Sequence, residues 1–244
     1  MPGSIFQKNL KRRKSFMGRS ALFGAPPRSG PAKSALGRGV SPIVEYGAKK
    51  GMAYTVRELG PRTLSDFERL ALKQGSCWCI YYQRARPLQR GGTAEKRGDI
   101  NRRDKAKLVR EGRSHAILVY EGGTPIGWCQ YGPREELPRI DAGRNYRKVR
   151  APVEGAKLWR ITCFFVDRDH RGRGVAKFAL KAALESIKKQ GGGIVEAYPV
   201  VSKKMAAVPE WRWFGTPGMF QREGFEVVAP LGTSGVLMRK TITP

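Results

Sequence analysis

The stretch Leu158-Trp159-Arg160-Ile161-Thr162-Cys163-Phe164-Phe165-Val166, followed by Arg171-Gly172-Arg173-Gly174-Val175-Ala176, decides the reading of this chain. The first nine residues are mostly aromatic, β-branched or otherwise apolar, the composition of a buried strand. Phe178, Ala182, Leu184 and Ile187 then recur on or near one face of a helix running from Val175 to Gln190. Gly191-Gly192-Gly193 ends it. A strand, a glycine-rich turn and a helix form a phosphate-binding arrangement. Glycine lets the main chain approach an anion, the first helical amides have no intrahelical partner, and the helix dipole adds favourable potential. Arg171 and Arg173 add full positive charges. Two common phosphate motifs fail: GxxxxGK[ST] is absent, and GxGxxG starting at Gly172 meets Lys177 where its last glycine should be.

Outward from this centre the pattern alternates. His115–Tyr120 and Ile126–Tyr131 read as strands joined by the turn Glu121-Gly122-Gly123-Thr124-Pro125, and a polar loop spans Gly132 to Gly155. Ile194–Val200 reads as a strand and Pro217–Glu223 as a short helix ending at Gly224. Glu226–Ala229 and Gly235–Lys240 form a closing hairpin. Upstream, Tyr54–Glu58 alternates as a strand and marks where ordered structure begins. Pro61-Arg62-Thr63-Leu64 opens a helix with Leu64, Phe67, Leu70 and Ala71 on its apolar face, stopped by Gly75. Cys77–Tyr82 reads as an apolar strand. Asp99–Glu111 reads as a charged helix capped by Asp99 and stopped by Gly112. The order predicts a mixed α/β fold.

Arg171-x-x-Gly174-x-Ala176 resembles the R/Q-x-x-G-x-G/A signature of the GNAT (Gcn5-related N-acetyltransferase) superfamily. Trp159–Asp167 is similar to that family's fourth strand, and Gly215–Phe225 to its last helix with a closing Gly-Phe. Gly127–Pro133 followed by Glu135–Ile140 resembles a bacterial subgroup of unassigned substrate. The resemblance implies a GNAT fold over residues 51–244: a central mixed, mostly antiparallel sheet with splayed fourth and fifth strands and flanking helices. It implies acetyl-CoA as co-substrate and no metal. The main chain near Phe164, Phe165 and Val166 would pair with the pantetheine arm. Arg171, Gly172, Arg173, Gly174, Val175 and Ala176 would hold the pyrophosphate. The acetyl group would pass directly to an amine of a small molecule or protein.

Direct transfer requires a polarised thioester carbonyl, a proton acceptor for the amine and a proton for the departing thiolate. Many family members carry a Tyr acid in the last helix; the matching residue, also placed beside the cofactor, is Phe220, which donates no proton. Where many place a Glu or His on the fourth strand, this chain reads Arg160, Ile161 and Thr162. Glu196, in the apolar strand Ile194-Val195-Glu196-Ala197-Tyr198, is the candidate base, its pKa expected to rise with burial; an ion pair with an arginine is the alternative. Tyr198 is the candidate acid. His115 fits a hydrogen-bonded strand residue better than a catalyst, and Cys163 has no histidine partner in sequence. Glu135, Glu136 and Asp141 could recognise a cationic acceptor, and Trp211-Arg212-Trp213-Phe214 could form an aromatic lip. The missing Tyr and strand-four base leave an alternative open: a non-catalytic CoA-binding or RNA- or ribosome-associated module of the same fold.

Lys plus Arg number 47 against 20 Asp plus Glu, a formal charge of +27. This excess fits contact with a polyanion or simply a solvated basic surface. Residues 1–50 concentrate it, with the run Lys11-Arg12-Arg13-Lys14, a single acid in Glu45 and recurrent Pro, Gly and Ser. Such a segment buries too little to offset its chain entropy and is expected to be disordered. A nucleic-acid tail, an organelle-targeting segment and an early start codon all fit it. Cys77, Cys79, Cys129 and Cys163 form no CxxC pair and are expected as free buried thiols in apolar strands, which suits a reducing, cytoplasmic setting. No apolar run approaches the roughly 18 residues a membrane span needs. Monomer and dimer both remain open.

Overall fold

The computed structural model describes residues 54–75, 77–86, 93–149, 153, 155–201 and 213–244, and the main chain of 44–46. The rest of the basic extension expected over 1–50, and Trp211-Arg212 of the expected lip, lie outside these residues. Eight strands form one sheet in the order β1-β2-β3-β4-β5-β6-β8-β7. They are β1 (Val44–Tyr46), β2 (Tyr54–Glu58), β3 (His115–Glu121), β4 (Thr124–Pro133), β5 (Leu158–Val166), β6 (Gly193–Ala197), β7 (Glu226–Leu231) and β8 (Gly235–Ile242). All neighbours are antiparallel except β5 and β6. This is the expected mixed, mostly antiparallel architecture, begun one strand earlier than Tyr54.

Helices α1 (Leu64–Gln74), α2 (Ala94–Arg110), α3 (Arg144–Lys148), α4 (Val175–Lys189) and α5 (Pro217–Gln221) complete the fold. The apolar face of α4 supplies Val175, Ala179, Leu180, Ala183 and Ile187 to a core with Ile117, Val119, Ile126, Ile161 and Val195. Phe67 and Leu70 of α1 and Val109 of α2 cover the other face over Leu118, Tyr120 and Trp128. Each fully buried aliphatic or aromatic side chain contributes roughly 1.5–3 kcal/mol. With both faces covered, the central strands read as continuous apolar runs, which is why β5 was recognisable.

Four expectations are corrected. Cys77–Tyr82 is no strand: Trp78 and Cys79 sit at φ 54° and 51°, in the left-handed region, and Tyr81–Gln83 is a 3-10 turn. An apolar run of this length cannot by itself distinguish a buried strand from a buried loop. Of the four free cysteines, only Cys129 and Cys163 lie in strands, and Cys77 is exposed. α2 starts at Ala94, capped by Thr93, whose hydroxyl accepts from the Lys96 amide; Asp99 lies inside it. β6 stops at Ala197, with Val200 forming only an isolated bridge to Gly235.

Candidate active site

The splay arises where β5 outlasts its neighbour. β6 pairs with Leu158–Ile161 and ends, while Thr162–Val166 continues along β4 alone. A register shift against Gln130 and Tyr131 makes Thr162 a bulge residue. The Thr162 hydroxyl is buried and has no hydrogen-bond partner among the described residues. A bulge of this kind re-aims a side chain, and a buried polar atom left alone is costly enough to call for an explanation.

Beyond Val166 the chain makes a 3-10 turn at Arg168–His170, capped by Asp167. Asp167 is paired with Lys73 of α1, and the ammonium holds its carboxyl below the usual range. The turn reaches Gly172 at φ 76° and Gly174 at φ 85°, the latter serving as N-cap of α4 without any side-chain cap. The first helical bond runs from the Phe178 amide to the Gly174 carbonyl, and the amides from Gly172 to Lys177 have no main-chain partner among the described residues. A Cβ at Gly172 or Gly174 would meet nothing within 4 Å. The backbone angle therefore demands glycine here, and the space above the amides is open to an anion. The Arg171 Nε donates to the Val166 carbonyl at 3.2 Å, tying the turn to the end of β5, and Arg173 lies 3.9 Å from Glu121. These residues fit a diphosphate: a row of free amides, a helix N-terminus and two guanidinium groups. Phe164 and Phe220 line up beside the splay, ring centres 6.0 Å apart, with Phe220 fully buried against Phe225.

A charged network lies at the other end of the splay. Arg160, wholly buried, donates to both Asp141 oxygens at 2.8 and 2.7 Å and to the Leu137 carbonyl at 2.9 Å. Its Nε lies 3.8 Å from Glu196. Burial disfavours its charge, but the bonds from Asp141 outweigh that and hold its pKa above the ordinary guanidinium value. Glu196, also wholly buried, accepts from Tyr146 at 2.8 Å, Tyr198 at 2.7 Å, and twice from Arg239 at 3.0 and 2.7 Å. Of the two readings the sequence left open for Glu196, this geometry matches the ion pair, since donors already occupy both oxygens. Tyr198 points to the same side as Glu196, and burial raises its phenol well above the usual value. Asp141 is spoken for by Arg160 and Arg134, so it is not the open carboxylate expected for a cationic acceptor; Glu136 meets His115 through Oε1, while its Oε2 is buried without a partner among the described residues. Cys163 is buried against Cys79, whose hydrogen bond, with burial, raises its thiol pKa, which suits a packing role rather than a nucleophile.

Above this network opens a cavity of about 520 Å³. It is assembled from the loop after α1 (Tyr81, Tyr82, Ala85), the β4–β5 connection (Arg139 to Tyr146), Tyr198, Phe214 and the β7–β8 hairpin. Sequence reasoning gave Phe214 and Tyr198 a place in the site; it read Arg139 and Tyr146 only as parts of basic stretches that weigh against a purely cationic acceptor, and gave Tyr82 no role. The one signal available was Arg160 itself: a charge within an apolar strand announces a buried partner.

Comparison with known proteins agrees with this geometry. No curated protein matches the chain. An uncharacterized protein from Bacillus halodurans is 14% identical, with 82% of this chain and 90% of that one aligned at TM-score 0.50. A GNAT-family acetyltransferase from Desulfovibrio desulfuricans is also 14% identical, covering 78% of this chain and 99% of that one at TM-score 0.45. An aminoglycoside N-acetyltransferase solved with CoA is 16% identical over 59% of this chain and 75% of that one, at TM-score 0.39. The acetyltransferase (GNAT) family model matches residues 78–215, more than half of the chain, so the strand, glycine turn and helix described above are those of a member of the GNAT acetyltransferase family.

Proposed function

We propose that this chain is an N-acetyltransferase that uses acetyl-CoA and delivers the acetyl group directly to an amine held in the 520 Å³ cavity. The observation that carries the proposal is the row of amides from Gly172 to Lys177, without main-chain partners among the described residues, beside the end of β5 that β6 leaves unpaired. Acetyl-CoA, when bound, supplies an activated thioester; the protein's residues hold, orient and handle protons. The turn grips the pyrophosphate, and the edge of Phe164–Val166 that β6 leaves unpaired takes the pantetheine arm, the Val166 carbonyl being already held by Arg171. The Thr162 hydroxyl is free to donate toward the carbonyl oxygen at the bulge.

For proton handling, Phe220 offers nothing. In this reading Glu196 orients Tyr146 and Tyr198 rather than taking the proton. Arg160, Arg239 and Arg139 around two neutralised carboxylates leave the cavity electropositive. That field, with desolvation, favours the neutral form of an entering amine, the form that attacks, so solvent can take the proton early. Tyr198, at the end of β6, is the hydroxyl placed to return one to the thiolate.

The absence of a dedicated base favours one second reading, a CoA-binding module without turnover. Titration with acetyl-CoA and thiol release with an amine panel separate the two. Binding with turnover that disappears in Gly174→Val supports the transferase; binding with no turnover on any amine supports the module; no binding ends both.

A further inference from the structure

The only charged side chain among the described residues lining the cavity is Arg139. Among the described residues no carboxylate pairs with it; its guanidinium lies 4.0 Å from the centre of the half-exposed Tyr81 ring. A guanidinium stacked on an aromatic face keeps its edge N–H groups free for a planar anion. Asp141 and Glu196, the carboxylates of the network beside the cavity, are already consumed by Arg134, Arg160 and Arg239. From Arg139 beside half-exposed Tyr81 to buried Tyr198, the lining is mostly aromatic and apolar, with the Asn145 amide among it: Tyr82 meets Phe214 edge-on at 6.1 Å, and Tyr146 meets Tyr198 edge-on at 6.1 Å. A flat apolar body fills such a slot best, and a polycation would meet positive charge with no counter-charge.

We propose that the acceptor is a primary amine joined through a planar, apolar body to a carboxylate, with the carboxylate on Arg139 and the amine at the Tyr198 end. The inference rests on the cavity being the acceptor site. It makes Arg139 a specificity residue and excludes polycationic amines as preferred substrates.

The test uses the full chain and three matched probes: 4-(aminomethyl)benzoate, benzylamine and p-xylylenediamine. Calorimetry measures their binding to the protein alone and to the protein saturated with CoA; thiol release measures turnover with acetyl-CoA. The carboxylate probe is expected to bind about tenfold to a hundredfold more tightly than benzylamine, the range of one charge-assisted pair, with the diamine weakest. Arg139→Ala and Arg139→Gln should bring it down to the benzylamine level, chiefly through KM where turnover is read. Equal binding of the three probes, a preference for the diamine, or a carboxylate preference that survives both variants would overturn the proposal. Because binding is read without nucleotide as well, failure of acetyl-CoA to bind would defeat the donor assignment while leaving the probe ranking to decide this one.

Discussion

The proposed donor and acceptor ends of the site are built in opposite ways. The turn proposed for the pyrophosphate is six consecutive residues, Arg171 to Ala176, running from beyond a strand into a helix, and the groups it would offer are main-chain amides. The proposed acceptor cavity draws side chains from five separated segments beside a largely buried lattice of four charges and two tyrosines. A site made of backbone depends on local conformation, so its sequence needs glycine at set positions. A site made of side chains depends on packing across the fold, and its sequence is free to vary.

If this contrast is right, damage at the two ends should be separable. The largest effect is expected from Arg160→Met, which leaves Asp141 and Glu196 with too little counter-charge in a buried setting. Denaturant unfolding should show a loss of about 3–5 kcal/mol. A loss within 1 kcal/mol of zero would show that the lattice is not a structural unit.

Gly174→Val comes next. A β-branched side chain is strained at φ 85° and shadows the amides, so the acetyl-CoA Kd should rise by about a hundredfold or more while folding stability falls by only about 1–2 kcal/mol. Calorimetry on the folded variant reads it. An unchanged Kd would break the contrast at its donor end.

Tyr198→Phe should lower kcat about tenfold to a hundredfold with the acetyl-CoA Kd unchanged, as expected for loss of a proton donor. Steady-state kinetics beside calorimetry would expose a shift in donor affinity, which would mean that the two ends are coupled.

The smallest effect is a pH slope away from both ends. Lys105, fully buried between Gln83 and Gln130, has its pKa pushed down to about 8 by burial. The unfolded chain holds that proton up to about pH 10.4. Between these values the unfolded state binds more protons, so stability should gain with rising pH through this window. The gain is read as the difference between wild type and Lys105→Met in denaturant midpoints at pH 7.5, 9 and 10. Parallel curves would refute a depressed Lys105 pKa in the folded chain.

These same contrasts explain what was legible beforehand. β5, the glycine turn and α4 were read from consecutive residues, because a doubly covered strand and an amphipathic helix impose their own periods. The hairpin at Gly122-Gly123 and the cap at Gly224 were equally local. The Cys77–Tyr82 run misled, because its left-handed turn at Trp78 and Cys79 is imposed by tertiary packing and carries no glycine to announce it. Asp99 looked like a cap because it is a good one in isolation, but the helix begins a turn earlier at Thr93. Glu196 was visible as a buried carboxylate; that Tyr146, Tyr198 and Arg239, up to 50 residues away, would converge on it was not. Arg139 carried no signal, since its role depends on Tyr81 and on the carboxylates it does not meet.

The central claim is that the amides from Gly172 to Lys177 grip a pyrophosphate, and comparing acetyl-CoA with S-acetylpantetheine by calorimetry tests it most directly. The two share the thioester and the pantetheine arm, and only acetyl-CoA carries the phosphates. Acetyl-CoA should bind at least a hundredfold more tightly, an advantage that shrinks as salt rises and largely disappears in Gly174→Val. Equal affinities, or an advantage untouched by that substitution, would contradict the account.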